Sequence, residues 1–275
     1  MSADAGQGGG PQRLDAIETV FQVALVTLQR TLRGGRLVLI AALLLLPGVL
    51  AYAVGRDGSD REQERMLYHT LVFYHFGIAL PATALVLATA FPWHESEEGT
   101  LTYWFTAPVQ RWAVHLGRTI AALVVGEAAL TLSVVALALP LNPSGAVDVL
   151  GPARTALTAT LLAFPAYLGI FTLLATITRR GMIGGLGLIL VENSLAMFAG
   201  GNLGRLTMLV YVRSLLHPAA SRAGRLILEQ KTGVTEPAAA STAILVFASV
   251  AIVTLAAALV LVQVIEYRGK HAQPT

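Results

Sequence analysis

The sequence contains no cysteine, and only 13% of its residues are charged. The absence of thiols excludes disulfides and thiolate metal sites. This scarcity of charge argues against a soluble protein. So does the clustering of apolar residues, which form blocks that approach the ~20 residues needed to cross a bilayer. The formal net charge of +3 is small for this length, and the arginines stand at the ends of apolar blocks. Nucleic acid is therefore not expected as a partner.

The apolar blocks predict an all-α, polytopic membrane protein with about six transmembrane helices. Residues 1–12 are polar and glycine-rich, which indicates a flexible N-terminus without a cleavable signal peptide. Residues 13–36 have one apolar face and are expected to form an amphipathic interfacial helix, although such a helix could also pack on a soluble partner. A single transmembrane domain over 37–265 follows, with a cytoplasmic tail at 266–275. Its spans are expected at 37–54, 67–91, 113–139, 153–178, 181–200 and 243–265, with a loop at 92–112 and an outer segment at 201–240.

The distribution of lysine and arginine predicts that both termini are cytoplasmic. The bases at 30–36 and at 179–180 lie directly against span ends, where they count most for orientation. The loop at 55–65 carries four acids and three bases and has little influence. The bases within 201–240 favour the opposite orientation. A fifth span that is broken or re-entrant would reconcile them with cytoplasmic termini.

The most specific motif lies between the second and third predicted spans. The run ESEEGTL at 95–101 is followed by TAPVQRW at 106–112 and then directly by an apolar block. This arrangement closely resembles the cytoplasmic loop of the ABC-2 type transporter permease family, the membrane-spanning subunits of type-2 ABC export systems. There, an E-x-E-x-G-T-L run leads through a short helix into a Pro-Val-x-Arg turn. The matching residues are Glu95, Glu97, Gly99, Thr100, Leu101, Pro108, Val109 and Arg111.

The resemblance implies that this loop carries a coupling helix that docks on a separate ATPase subunit. Acidic residues at a helix start are stabilised by its positive end, and large aromatic side chains make good anchors for a protein partner. The alternative is an interfacial helix whose aromatics lie at headgroup level, but three acids suit an anionic leaflet poorly. The candidate ATPase-coupling residues are Glu95, Glu97, Glu98, Gly99, Thr100, Leu101, Tyr103, Trp104, Phe105, Pro108 and Arg111.

The function that the resemblance implies is that of a permease subunit for export across the inner membrane of a bacterium. A second permease copy or a similar chain, two ATPase subunits and membrane lipids would be its partners. The chain has no G-x-x-x-x-G-K-[ST], H-E-x-x-H or G-x-S-x-G run. It is therefore not expected to be an enzyme or to bind a cofactor, and ATP and Mg²⁺ would belong to the partner ATPase. Alternatives are a membrane-embedded enzyme acting on lipids and a non-transporting membrane anchor of an ATPase-driven assembly complex.

Polar residues inside the predicted spans are further candidates for function. Glu127, Glu192 and Asn193 would each cost a few kcal/mol if they faced lipid. They are therefore expected on a pathway or subunit interface, or in hydrogen bonds that hold the bundle together. His69 and His75 could bind a metal or sense pH, but no third ligand is near them in the sequence, so packed histidines are favoured and no metal site is predicted.

Overall fold

Helices form all of the regular secondary structure in the residues that the computed structural model describes. The described residues are 16–57, 59–89, 110–141, 149–178, 180–198, 204–220, 222–230 and 237–265. The predicted all-α class is confirmed for this part of the chain. The N-terminus at 1–12, the tail at 266–275 and nearly all of the predicted coupling loop lie outside it.

From Ala16 to Ala88, consecutive helices are separated by at most two residues. The second apolar block begins as an α-helix, continues through a π-helix, here named the π segment, and ends as an α-helix. Short 3₁₀ turns lie at Leu139–Leu141, Gly204–Leu206 and His217–Ala219. The elements are α1 (Ala16–Arg33), α2 (Gly35–Asp57), α3 (Asp60–His69), the π segment (Thr70–Ala79), α4 (Leu80–Ala88), α5 (Arg111–Ala138), α6 (Leu150–Ile177), α7 (Gly181–Phe198), α8 (Met208–Leu216), α9 (Arg222–Gln230) and α10 (Ala240–Val264).

Four helical stretches in the described residues are long and apolar enough to cross a membrane, which indicates a multi-pass membrane protein. A fifth is added if α1 and the stretch Leu37–Ala53, which meet at a bend of 64°, are taken as one broken span. The apolar run Gly181–Ala196 of α7 is shorter. It measures about 24 Å against a hydrocarbon core of about 30 Å. The four stretches are Glu62–Ala88, Arg111–Leu141, Leu150–Ile177 and Ala240–Val264.

Local signals explain several helix ends. The backbone N–H of Ser59 donates to Glu62 Oε2 at 2.8 Å, which fixes the first turn of α3. Glu18 lies in the first turn of α1, and Arg30 and Arg33 lie in its last turn, each on the side that the helix dipole favours. Pro81 lies directly after the junction between the π segment and α4, and helical structure continues past it through the second predicted span.

The centre of the bundle is α6, which packs against α4, α5, α7, α8 and α10. Small residues permit these close approaches. A Cβ added at Gly126 of α5 would come within 2.0 Å of the Phe164 ring, and one added at Gly169 of α6 would come within 2.3 Å of Thr254 Oγ1 in α10. In contrast to α6, α10 presents most of its surface outward, with only 11% of its apolar window buried. That surface must face lipid or another chain.

Candidate functional site

The π segment connects four other helices through consecutive or nearly consecutive side chains. A π-helix is rare and often marks a functional site, because its wider turn changes which residues face each neighbour. Here the segment lies in the middle of the span Glu62–Ala88 and is largely buried. Its cross-helix contacts are Phe73 with Arg213 of α8, the Tyr74 hydroxyl donating to the Leu43 carbonyl of α2, His75 with Thr160 of α6, and Gly77 with Asn193 of α7.

Glu192 of α7 is a hydrogen-bond acceptor for two other helices. The hydroxyl of Tyr167 in α6 donates to its Oε1 at 2.6 Å, and the backbone N–H of Leu209 donates to the same oxygen at 3.1 Å. Leu209 lies in the first turn of α8. The side chain of the N-cap residue Thr207 does not cap this helix, because its hydroxyl donates to the Gly204 carbonyl. A carboxylate at a helix N-terminus accepts free N–H groups and interacts favourably with the dipole. Glu192 therefore joins α6, α7 and α8.

Arg213 is the buried cation of the same cluster, with only 2% of its surface exposed. Its Nη1 donates to the carbonyl of Ala196 at 3.0 Å, and its guanidinium carbon lies 5.9 Å from the centroid of the Phe73 ring. Glu192 is close enough to attract it electrostatically. Its Nε and Nη2 are buried without a hydrogen-bond partner in the described part of the chain. A buried guanidinium with unpaired N–H groups needs a nearby carboxylate and an aromatic ring face to stabilise its charge.

Asn193 connects α7 to the π segment. Its Nδ2 donates to the Gly77 carbonyl at 2.8 Å and to the Ile189 carbonyl of its own helix at 2.9 Å. A Cβ added at Gly77 would lie 2.9 Å from Asn193 Oδ1, so a larger residue here would force the Asn193 side chain to shift. The two adjacent polar residues of α7 thus make different connections, Glu192 to α6 and α8 and Asn193 to the second span.

His69 and His75, the two histidines considered as possible metal ligands, also make contacts within the bundle. Nε2 of the buried His75 lies 3.1 Å from Thr160 Oγ1. That hydroxyl already donates to the Ala156 carbonyl at 2.8 Å, so we assign the proton of this contact to His75 Nε2. His69 stacks on Phe73 with ring centroids 5.5 Å apart. No cluster of three or more metal-ligating side chains occurs in the described residues.

Glu127 makes no hydrogen bond to this cluster in the part of the chain that the structure describes. It is half-buried on α5, and its Oε2 is buried without a partner among the described residues. The structure therefore brings together Glu192 and Asn193 on one helix and leaves Glu127 apart from them. Their predicted role on a pathway or interface stays a prediction, beside the packing role that the hydrogen bonds give to Glu192 and Asn193.

Ten of the eleven candidate coupling residues lie outside the described residues. Arg111 is described, and it is the exposed first residue of α5. The residue before it, Gln110, has an extended backbone and accepts a hydrogen bond from the indole of Trp112. The end of the motif therefore coincides with the start of a membrane-length helix. The ten others are Glu95, Glu97, Glu98, Gly99, Thr100, Leu101, Tyr103, Trp104, Phe105 and Pro108.

Sequence reasoning missed Arg213, Tyr167 and Phe73 as members of the cluster. Tyr167 and Phe73 look like ordinary apolar positions of their spans. Arg213 has a local signal, since it is the single charge in the run MLVYVRSLL, but its position within 201–240 places it among the bases of the outer segment. Its environment becomes visible only when α8 is packed in the bundle.

No family model matches this chain, and a comparison with curated proteins finds no significant match. The role of the cluster formed by α6, α7, α8 and the π segment is therefore inferred from its hydrogen bonds and charges alone. Its hydrogen bonds and charges hold four helical elements together around the middle of α7.

Proposed function

We propose that this chain is the membrane-spanning permease subunit of an ABC export system, which forms a translocation pathway and couples to a separate ATPase. The observation that carries the proposal is the motif at 95–111, which ends at the first residue of α5. The membrane-length helices on both sides of that motif support it, because a coupling loop must connect two spans.

The proposal includes six spans with both termini cytoplasmic. Besides the four membrane-length stretches, α2 and α7 would each cross the membrane. The 23 residues of α2 reach about 34 Å, and the 18 residues of α7 reach about 27 Å, which a locally thinned bilayer accommodates. The motif and the α6–α7 connection then lie on the cytoplasmic side, and α8 and α9 lie on the outer side.

A mechanical route for coupling runs through the second span. The described part of this span ends at Thr89, shortly before the motif, and its middle is the π segment. Asn193 connects the π segment to α7, and Glu192 connects α7 to α6 and α8. A displacement imposed by an ATPase at the cytoplasmic end of α4 would therefore reach the outer helices through these hydrogen bonds. A second permease copy, or a similar chain, would complete the pathway.

The test is charge reversal in the motif. Glu97→Lys combined with Glu98→Lys should abolish co-purification of a P-loop ATPase from native membranes, while the permease remains folded and membrane-inserted. A matched control is Glu64→Lys combined with Glu229→Lys, which makes the same change of charge at the opposite end of the bundle and should leave co-purification intact. Full retention of the ATPase by the Glu97/Glu98 variant would refute the docking role.

Two further measurements separate this function from the alternatives. An ATPase that co-purifies excludes a self-contained membrane enzyme. ATP hydrolysis that rises when a transported compound is added distinguishes a transporter from a non-transporting anchor. If the ATPase binds but its turnover never responds to any candidate compound, the anchor is the better description.

A further inference from the structure

A groove lies at the junction between α1 and α2. Its volume is about 350 Å³, and it is lined by Val26, Gln29, Arg30, Arg33 and Gly34. All five residues belong to the last two turns of α1 and the bend that follows. A cavity of this size accommodates a small polar group such as a lipid headgroup.

The predicted interfacial position of α1 would place the groove at headgroup depth. Beside the lining residues, α1 exposes the apolar side chains of Ile17, Phe21 and Leu25, which suit the boundary between headgroups and acyl chains. The apolar stretch Leu37–Ala53 of α2 leaves α1 at an angle of 64°. A helix in the interface that turns into a span has its bend at the level of the lipid phosphates.

The electrostatics of the groove favour an anion. Gln29, Arg30 and Arg33 are exposed, and no acidic residue is among the residues that line the groove. Within the described ranges, neither arginine is paired with a carboxylate. The acid of the same helix, Glu18, accepts a hydrogen bond from Gln22 at 3.1 Å, two turns or more away. Arginine binds phosphate oxygens in a bidentate geometry.

We propose that this groove binds the headgroup of an anionic phospholipid. Arg30 and Arg33 donate to the phosphate oxygens, Gln29 binds the polar headgroup substituent, and the acyl chains lie along the exposed apolar side chains of α1 and α2. This lipid site requires only that the chain is inserted in a bilayer. Its test is therefore independent of the proposed export function.

The experiment measures lipid retention by native mass spectrometry of the full chain, released from nanodiscs that contain equal amounts of phosphatidylglycerol and phosphatidylcholine. The wild type should retain phosphatidylglycerol selectively. Arg30→Gln combined with Arg33→Gln should weaken that retention about 25-fold, because each arginine near an anionic lipid surface contributes about fivefold. Arg154→Gln combined with Arg205→Gln removes the same charge from exposed arginines outside the groove and should reduce retention much less than the Arg30/Arg33 variant does.

A second variant keeps the measurement decisive if the double substitution impairs folding. Val26→Phe fills the groove, leaves both arginines in place, and should still reduce phosphatidylglycerol retention. Unchanged retention in the Arg30/Arg33 variant, or in Val26→Phe if only that variant folds, overturns the proposal. So does an equal loss in the Arg154/Arg205 control, which would indicate general charge attraction. Displacement of the lipid by millimolar inorganic phosphate overturns the assignment in favour of a free anion.

Discussion

At the scale of single residues, the cluster around Glu192 shows how a buried charge is accommodated in an apolar helix. An isolated carboxylate would be costly at this position. Tyr167 and the N-terminus of α8 supply two donors, and the nearby Arg213 supplies a positive charge. Removal of the carboxylate should therefore leave several groups without a partner at once.

We expect Glu192→Ala to lower the free energy of unfolding by about 2–4 kcal/mol, because the Tyr167 hydroxyl and the Leu209 N–H lose their acceptor and Arg213 loses its counter-charge. Glu192→Gln keeps an acceptor oxygen and should have an intermediate effect. Thermal denaturation in a mild detergent, followed by circular dichroism, measures this difference. Ser194→Ala is the control, since that exposed hydroxyl bonds only to its own helix. Equal melting temperatures for the Glu192 and Ser194 variants would contradict the role given to the carboxylate.

At the scale of elements, the π segment has its geometry fixed by neighbours on several sides. Tyr74, His75 and Gly77 each make a hydrogen bond to a different helix. In a regular α-helix, successive residues turn by 100°, so the same three residues would face other directions. The wider turn is thus held in place by partners outside the span.

A double-mutant cycle between Gly77 and Asn193 tests this contact. Gly77→Ala should destabilise the wild type by about 1–3 kcal/mol, because the new methyl group would overlap the Asn193 side chain. In the Asn193→Ala background the overlap disappears, and the same substitution should be neutral or stabilising by up to about 1 kcal/mol, as glycine to alanine is in a helix. The four unfolding free energies give the coupling. An identical effect of Gly77→Ala in both backgrounds would show that the two residues do not interact.

Helix positions could be predicted from the sequence, but the π segment could not. The predicted spans 113–139, 153–178 and 243–265 agree within three residues with α5, α6 and α10, because long apolar blocks mark their own ends. Polar residues at a spacing of 3.6 reveal an α-helix, but an apolar run has no such pattern, so a change to the π geometry leaves no trace in it. Likewise, the polarity of Glu192 and Asn193 within an apolar block marks them in the sequence, whereas the role of Tyr167 depends on the packing of α6 on α7.

At the scale of the whole molecule, the absence of cysteine makes the orientation directly measurable. Single cysteines introduced at Gln110 and Arg180 should react with a membrane-impermeant maleimide only in inverted vesicles, because the proposed topology places both on the cytoplasmic side. Cysteines at Asp60 and Leu150 should react in intact cells. All four positions are exposed, so reactivity depends on sidedness. The reverse pattern would place the motif at 95–111 away from ATP and would refute the export proposal.

The last helix has a physical property that follows from its length. The 25 residues of α10 form an apolar rod of about 37 Å, longer than a hydrocarbon core of about 30 Å. Such a rod relieves the mismatch by tilting. Its contact with α6 is the most extensive between any two helices of the described residues, so the two helices would tilt together. Lipids with longer or shorter tails would therefore change the tilt of this helix pair and the shape of the protein at that edge.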